Sequence, residues 1–300
     1  MTLSKRVAVE SWAEGVSWME KLSESSVFRG QCNSCWPVES RLFRHYQSKV
    51  NVGDEAQVNR GIAQETQVRL EALEEVFFKI VVDRNLVSGE SPFPRSNTLA
   101  WAQHYGAPTR LIDVSSDWRV AAFFGADDKR KESLKNGWTV WAFKTEYSER
   151  LLGQLDGDWT AESALEALLE PTKSELDLFI ETQNRNGYLV VNPPNPDDRR
   201  EAQSGLFVAQ ANPWGDFSSA VDEARVWLAN VLELSVLELL NRVEHAPAVR
   251  IDFPSSARRE ALDWLAKVGI SNETLFPGED DEVAKNAFLS AWNEHREGQT

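Results

Sequence analysis

The stretch Trp101-Ala102-Gln103-His104-Tyr105-Gly106-Ala107-Pro108-Thr109-Arg110-Leu111-Ile112-Asp113 decides how this chain is read. A helix from about Asn97 to Tyr105, with Asn97 as its cap, runs into Gly106-Ala107-Pro108, which ends it. Thr109 to Ile112 is then short and extended, and Asp117 can cap a new helix carrying Val120, Ala121, Phe123 and Phe124. Helix, break, strand and helix within some thirty residues predict a mixed α/β chain.

Outward from this stretch, Val27-Phe28 begins a strand that Gly30 ends, a helix covers about 8 to 23, and a short helix covers Glu39 to Tyr46. The longest helical pattern runs from about Glu55 to Val82. Downstream, Thr139–Phe143, Tyr188–Val191, Leu206–Val208 and Val249–Phe253 read as strands. Short helices are expected over 146–182, helical pieces over 222–244, and helices over Ala257–Lys267 and 279–294. The expected fold is α+β: one mixed domain with a small sheet surrounded by helices. The organisation expected is an N-terminal helical elaboration over 1–23, the main domain over 24–290 and a tail over 291–300.

The formal charge of −15 repels phosphate backbones and anionic lipid at long range, so nucleic acid and membrane are poor partners. No run of 18 apolar residues exists and Met1 to Ser17 lacks a signal-peptide core, so a cytoplasmic protein is expected. Cys32 and Cys35 have redox or zinc spacing, but a structural zinc site wants four ligands, and no metal is expected. Phosphate-binding loop, dinucleotide fingerprint, nucleophile elbow and zincin motifs are absent.

Three clusters can carry chemistry. In Phe28-Arg29-Gly30-Gln31, the guanidinium of Arg29 is placed to hold an anion, and Gly30 lets a ligand approach the backbone. A structural arginine paired with a carboxylate is the competing reading. In the central stretch, His104 can be a base, a ring platform or a bonded core histidine, and Arg110 and Asp113 can pair to fix the turn. In the third cluster, Arg199 and Gln203 share a helix face at i and i+4, and Gln203 can bind an amide or a base edge. A cap with a hydrogen-bonded glutamine explains it equally.

Together these clusters resemble the FRG-domain family, over about residues 24 to 290. Phe28-Arg29-Gly30 is similar to its aromatic-Arg-Gly motif, followed by Gln31, Trp36 and Arg44. Ala102 through Asp113 follows its central pattern. Ala121, Ala122, Phe123 and Phe124 look like its next helix. Arg199, Gln203, Gly205 and Phe207 match a later R-x-x-x-Q-x-G-x-F, and Gly269-Ile270 and Leu275-Phe276-Pro277 look like its tail. Departures are Val114-Ser115 after the Asp and Val38-Glu39-Ser40 before the early Arg.

The family is largely uncharacterised, with members that look like parts of bacterial defence or toxin-like systems. The strand motifs are loosely similar to ADP-ribosyltransferase architecture. The resemblance therefore implies a nucleotide-handling enzyme, by NAD-dependent ADP-ribosyl transfer or NAD cleavage. Arg29 and Arg110 would neutralise the pyrophosphate with Gly30, Gln31 and Arg199 nearby, while His104 or Tyr105 contacts a base. Asp113 would orient Arg110, and Gln203 or Glu223 would stand near the ribose. A ligand- or protein-sensing module without turnover, binding a phosphate-bearing small molecule or a protein partner, is the alternative. An RNA-binding or RNA-processing protein is the third, and it needs a cleft built from Arg29, Arg44, Arg110 and Arg199.

Overall fold

A computed structural model describes residues 5–50, 95–127, 136–148, 187–193, 198–210, 246–277 and 286–291, with scattered positions across 74–81 and 217–226. Among them, seven strands form one sheet: β1 (Lys5–Ala8), β2 (Ser26–Gln31), β3 (Leu111–Ser115), β4 (Trp138–Lys144), β5 (Tyr188–Val191), β6 (Gly205–Gln210) and β7 (Ala248–Phe253). Their spatial order is β1-β7-β4-β2-β3-β6-β5. The β1–β7 pair is parallel and every other pair is antiparallel. This is a mixed α+β fold with a seven-stranded sheet, larger than the small sheet expected.

Both faces of the sheet are buried, which explains the near-continuous apolar runs in its strands. Side chains alternate across a strand. On β4, Trp138, Val140 and Ala142 fall in one cluster, and Trp141 and Phe143 fall in the other. The first cluster is covered by α1 (Trp12–Leu22), α4 (Trp118–Ala126) and α6 (Ala257–Lys267), which contribute Trp12, Met19, Phe123 and Leu265. The second is covered in part by Leu99 and Ala100 of α3 (Arg95–His104) and by Phe217 and Val221. A smaller cluster joins Leu42 of α2 (Arg41–Val50) to Phe77, Ala102 and Phe288.

Caps follow the sequence. Ser11 accepts from Glu14 N at the start of α1, and Asp117 accepts from Arg119 N at the start of α4. The N-terminal segment was expected to be helical throughout. Instead Lys5–Ala8 adds an edge strand, in register from Lys5↔Val249 to Ala8↔Asp252. The helices expected over 146–182 and 222–244 and most of 55–82 lie outside the described residues, apart from isolated positions, as does Glu223.

The feature that positions the candidate site is the seam between β2 and β3. Their pairing is confined to Phe28↔Ser115, whereas β2 pairs with β4 over its whole length, from Ser26↔Lys144 to Gln31↔Thr139. Where β2 and β3 part, side chains can enter.

Candidate functional site

Arg29 stands at that seam. Its Nη1 donates to the main-chain oxygen of Asp113 at 2.6 Å, a carbonyl left without a β2 ladder partner where the strands diverge. The same Nη1 lies 4.0 Å from Asp113 Oδ2. The Arg29 side chain is 22% exposed and that of Asp113 is 67% exposed, so a largely covered cation faces an open carboxylate. Arg29 Nε is buried and has no partner among the described residues.

Asp113 is held by the central stretch itself. Gln103, at the end of α3, donates from Nε2 to Asp113 Oδ1 at 2.8 Å. Thr109 Oγ1 donates to Gln103 Oε1 and accepts from Leu111 N. Gln103 and Thr109 are buried, so this chain of bonds fixes the amide's orientation. The Gly106-Ala107-Pro108 break supplies the reversal: Gly106 takes φ +96°, in the left-handed region.

Two further arginines stand on α2. Arg44 donates from Nη1 to Glu39 O at 2.8 Å, and Arg41 lies three residues earlier, on the same helix face. Burial pushes the Arg29 guanidinium below its ordinary pKa; the carboxylate of Asp113 opposes this, while the positive charges of Arg44 and Arg41 add to it. Arg44 is lowered in the same way, by burial first, opposed by Glu39 and Asp113 and reinforced by Arg41. An anion would relieve the repulsion that Arg44 and Arg41 exert on the buried Arg29 guanidinium.

The other residues singled out in the sequence are placed as follows. Arg110 does not pair with Asp113. Its Nε donates to Glu74 Oε2 at 2.8 Å and its main-chain N to Glu74 Oε1 at 3.0 Å, in a pair whose side chains are 7% and 1% exposed. Residues three apart in an extended chain project to opposite sides, so the expected pair does not form. Gln31 accepts from Trp141 Nε1 at 2.9 Å and donates to Pro37 O at 3.0 Å. Gly30 does allow a close backbone approach, and the approaching group is α4: a Cβ there would fall onto Ala121 O and Gly125 N. His104 and Tyr105, at the end of α3, pack edge to face with ring centroids 4.9 Å apart, and Tyr105 also packs on Trp101.

Arg199 and Gln203 form a separate unit. Arg199, in α5 (Asp198–Ala202), lies over the Phe276 ring at 4.7 Å, and Gln203 Nε2 donates to Leu275 O at 2.9 Å. Both therefore clasp the turn at the end of α7 (Asn272–Leu275). The Gln203 main chain still touches the sheet near the seam, accepting from Ser115 Oγ at 2.7 Å.

Among the described residues, no group of three or more His, Cys, Asp or Glu is arranged to hold a metal, and no helix is long and apolar enough to cross a membrane. Cys32 and Cys35 are not joined in a disulfide. Sequence reasoning gave Gln103 and Thr109 no role, although the motif that contains them was the signal. It did not reach Glu74, which lies 36 residues from its partner.

The architecture defines a mixed α+β protein with a seven-stranded sheet flanked by helices, and an arginine-lined seam near its centre. Residues 24–134 match the FRG domain. That span contains Arg29, Arg41, Arg44, Gln103, Thr109, Arg110 and Asp113. No curated protein and no solved structure matches the chain.

Proposed function

We propose that Arg29, backed by Arg44 and Arg41, receives the phosphate of a nucleotide, and that the protein is a nucleotide-handling enzyme. Its reaction in this reading is NAD-dependent ADP-ribosyl transfer or NAD cleavage, on a scaffold akin to that of ADP-ribosyltransferases. The observation that carries the proposal is the buried, unpartnered Nε of Arg29 among like charges, beside an open carboxylate. The large majority of buried side-chain donors are hydrogen-bonded. A phosphate oxygen would complete this one.

The carboxylate role falls to Asp113 in this reading. In NAD the bond from ribose C1′ to the nicotinamide nitrogen would break, and its electron pair would leave with nicotinamide and neutralise the pyridinium. The acceptor, water in the case of cleavage, would bond to C1′ and release its proton to Asp113 or to solvent. A carboxylate beside C1′ stabilises the oxocarbenium-like transition state. Glu223 remains a candidate for that position. His104 and Tyr105 remain candidates for a base, because α3 also carries the Gln103 that orients Asp113. Gln203 takes no part in this version, because its amide donates to Leu275 O.

The alternative is a ligand-sensing module without turnover. The engagement of both Arg199 and Gln203 with the 275–276 turn favours it, since neither is left to orient a ribose. Calorimetric titration with NAD and chromatographic assay of nicotinamide decide between the two, using wild type, Arg29→Ala, Arg29→Lys and Asp113→Asn. The enzyme reading expects NAD binding lost in Arg29→Ala and weakened in Arg29→Lys, with nicotinamide release lost in Asp113→Asn. Binding without release supports the sensor. Unchanged binding in a folded Arg29→Ala sinks both.

A further inference from the structure

A recess away from the seam lies on the helical side of the sheet, where the ends of α1 and α6 meet the start of α4. Its volume is about 580 Å³, and its lining includes Glu20, Asp117, Trp118, Arg119, Trp264 and Val268. None of Arg29, Arg44, Gln103 or Asp113 lines it. A pocket of this size accommodates a large side chain or a small molecule.

The wall is aromatic and preorganised. Trp118 and Trp264 stack at 5.8 Å with an interplanar angle of 21°. Trp12 backs both, at 6.2 Å from Trp118 and 5.7 Å from Trp264. Trp118 is largely buried and Trp264 is half-buried, so the outer indole meets the recess with little rotamer freedom left to lose.

The charge around this wall is negative. Arg119 is tied to Asp117, with Nη2 2.6 Å from Oδ2 and Nε bonding both carboxylate oxygens. That pair neutralises itself, and Glu20 then sets the sign. Two helix C-termini add to it: Ser23 caps α1 by donating to Glu20 O, and Val268 N turns back to Trp264 O at the end of α6. Of the nearby cations, Lys21 sits over Trp18, 5.5 Å from its ring, and Lys267 is in the last turn of α6. At the rim, Val268 is 42% exposed, an apolar seat for a methylene stem.

From these features we infer that the recess between α1, α4 and α6 is a docking site for a lysine or arginine side chain of a protein partner. The cationic head would lie against Trp264 and Glu20, and its stem against Val268. An indole face and a carboxylate both favour a cation, and partial desolvation strengthens the contact. The net charge of −15 would steer a basic partner toward the chain without selecting this spot. An anion would meet Glu20 and two helix C-termini, and a neutral group would leave Glu20 unused.

The test uses a short fluorescent peptide rich in Lys and Arg, at physiological salt, read by anisotropy against the full chain. Trp264→Ala is expected to weaken binding about tenfold, as loss of a partly desolvated cation–π contact implies. Glu20→Gln and Val268→Lys, both at exposed positions, are expected to weaken it about threefold, the size of a modest surface charge effect. Glu260→Gln removes an equal charge elsewhere on α6 and is expected to change nothing. Equal effects of Glu20→Gln and Glu260→Gln would reduce the binding to net charge and overturn the site. So would unchanged affinity in Val268→Lys, which reports even if Trp264→Ala fails to fold. Butylamine competing as tightly as the peptide would overturn the protein partner.

Discussion

Arg29 with Asp113 and Arg199 with Gln203 are built from the same kinds of side chain, and the structure uses them in opposite ways. At the 275–276 turn, the guanidinium is covered by a phenyl ring and the amide is spent on a main-chain carbonyl. At the β2–β3 seam, a guanidinium keeps a buried donor unused and a carboxylate stands open. Arg258 gives a further contrast. It is buried, and its Nη atoms donate to the carbonyls of Gly125, Ala126, Cys32 and Asn136, tying the loop after β2 to the end of α4. An arginine in a motif thus does not announce its use. What separates receptor from rivet is the setting of the guanidinium: like charges and an open carboxylate around Arg29, a phenyl ring or a set of main-chain carbonyls around Arg199 and Arg258.

The largest effect expected from breaking this comparison is at Arg110. Glu74→Ala leaves a buried guanidinium without its carboxylate, and removing one partner of such a pair costs about 3–5 kcal/mol. Urea denaturation should show that loss. If Arg110 is scaffold, phosphate or NAD affinity of the folded fraction should stay as in wild type. A fall in affinity with little loss of stability would move Arg110 to the receptor side.

Gly30→Ala comes next. The added methyl would strike main-chain atoms of α4 at Ala121 and Gly125, which cannot rotate away, so helix and strand must separate. Overpacking of this kind costs about 1–3 kcal/mol. Because Arg29 is the adjacent residue on β2, ligand affinity should fall together with the melting temperature. Loss of affinity at unchanged stability would instead mean that ligand, not helix, fills the space over Gly30.

The clasp is the weaker element. Gln203→Met keeps the side chain's bulk and removes the bond to Leu275 O, a loss of about 1 kcal/mol. Hydrogen exchange at the 272–276 turn should accelerate, with anion binding at the seam untouched. A matching loss of NAD binding would put Gln203 back in the ligand site.

The strands that were legible in the sequence are those buried on both faces. The run at 139–143 grew by one residue at each end, and 188–191 was found entire. Lys5–Ala8 was not legible, because an edge strand with alternating half-exposed residues is defined by its partner β7 and not by its own apolarity. Ala257–Lys267 was legible end to end. At the site, Arg29, Asp113 and Gln103 were in view as motif letters. Their convergence was not, because it depends on β2 and β3 parting after Phe28↔Ser115, a register that no local spacing encodes. The same holds for Glu74, whose pairing with Arg110 crosses from another helix.

The smallest effect on stability carries the sharpest distinction between the two uses of arginine. Asp113→Asn keeps an oxygen to accept from Gln103, and Arg29 keeps its bond to the main-chain oxygen of the same residue. The side chain is mostly exposed, so stability should change by no more than about 0.5 kcal/mol. The charge change, however, falls 4.0 Å from Arg29 Nη1. Removing a carboxylate that competes for a guanidinium should tighten inorganic phosphate a few-fold, in keeping with about 1 kcal/mol between unit charges at such range in water. Under the enzymatic reading the same variant binds NAD at least as well and releases no nicotinamide; under the sensing reading it gains affinity and loses nothing. Phosphate affinity that falls in Asp113→Asn would mean that the carboxylate positions Arg29 instead of competing for it, and that the seam is held together by the pair that the clasp region does without.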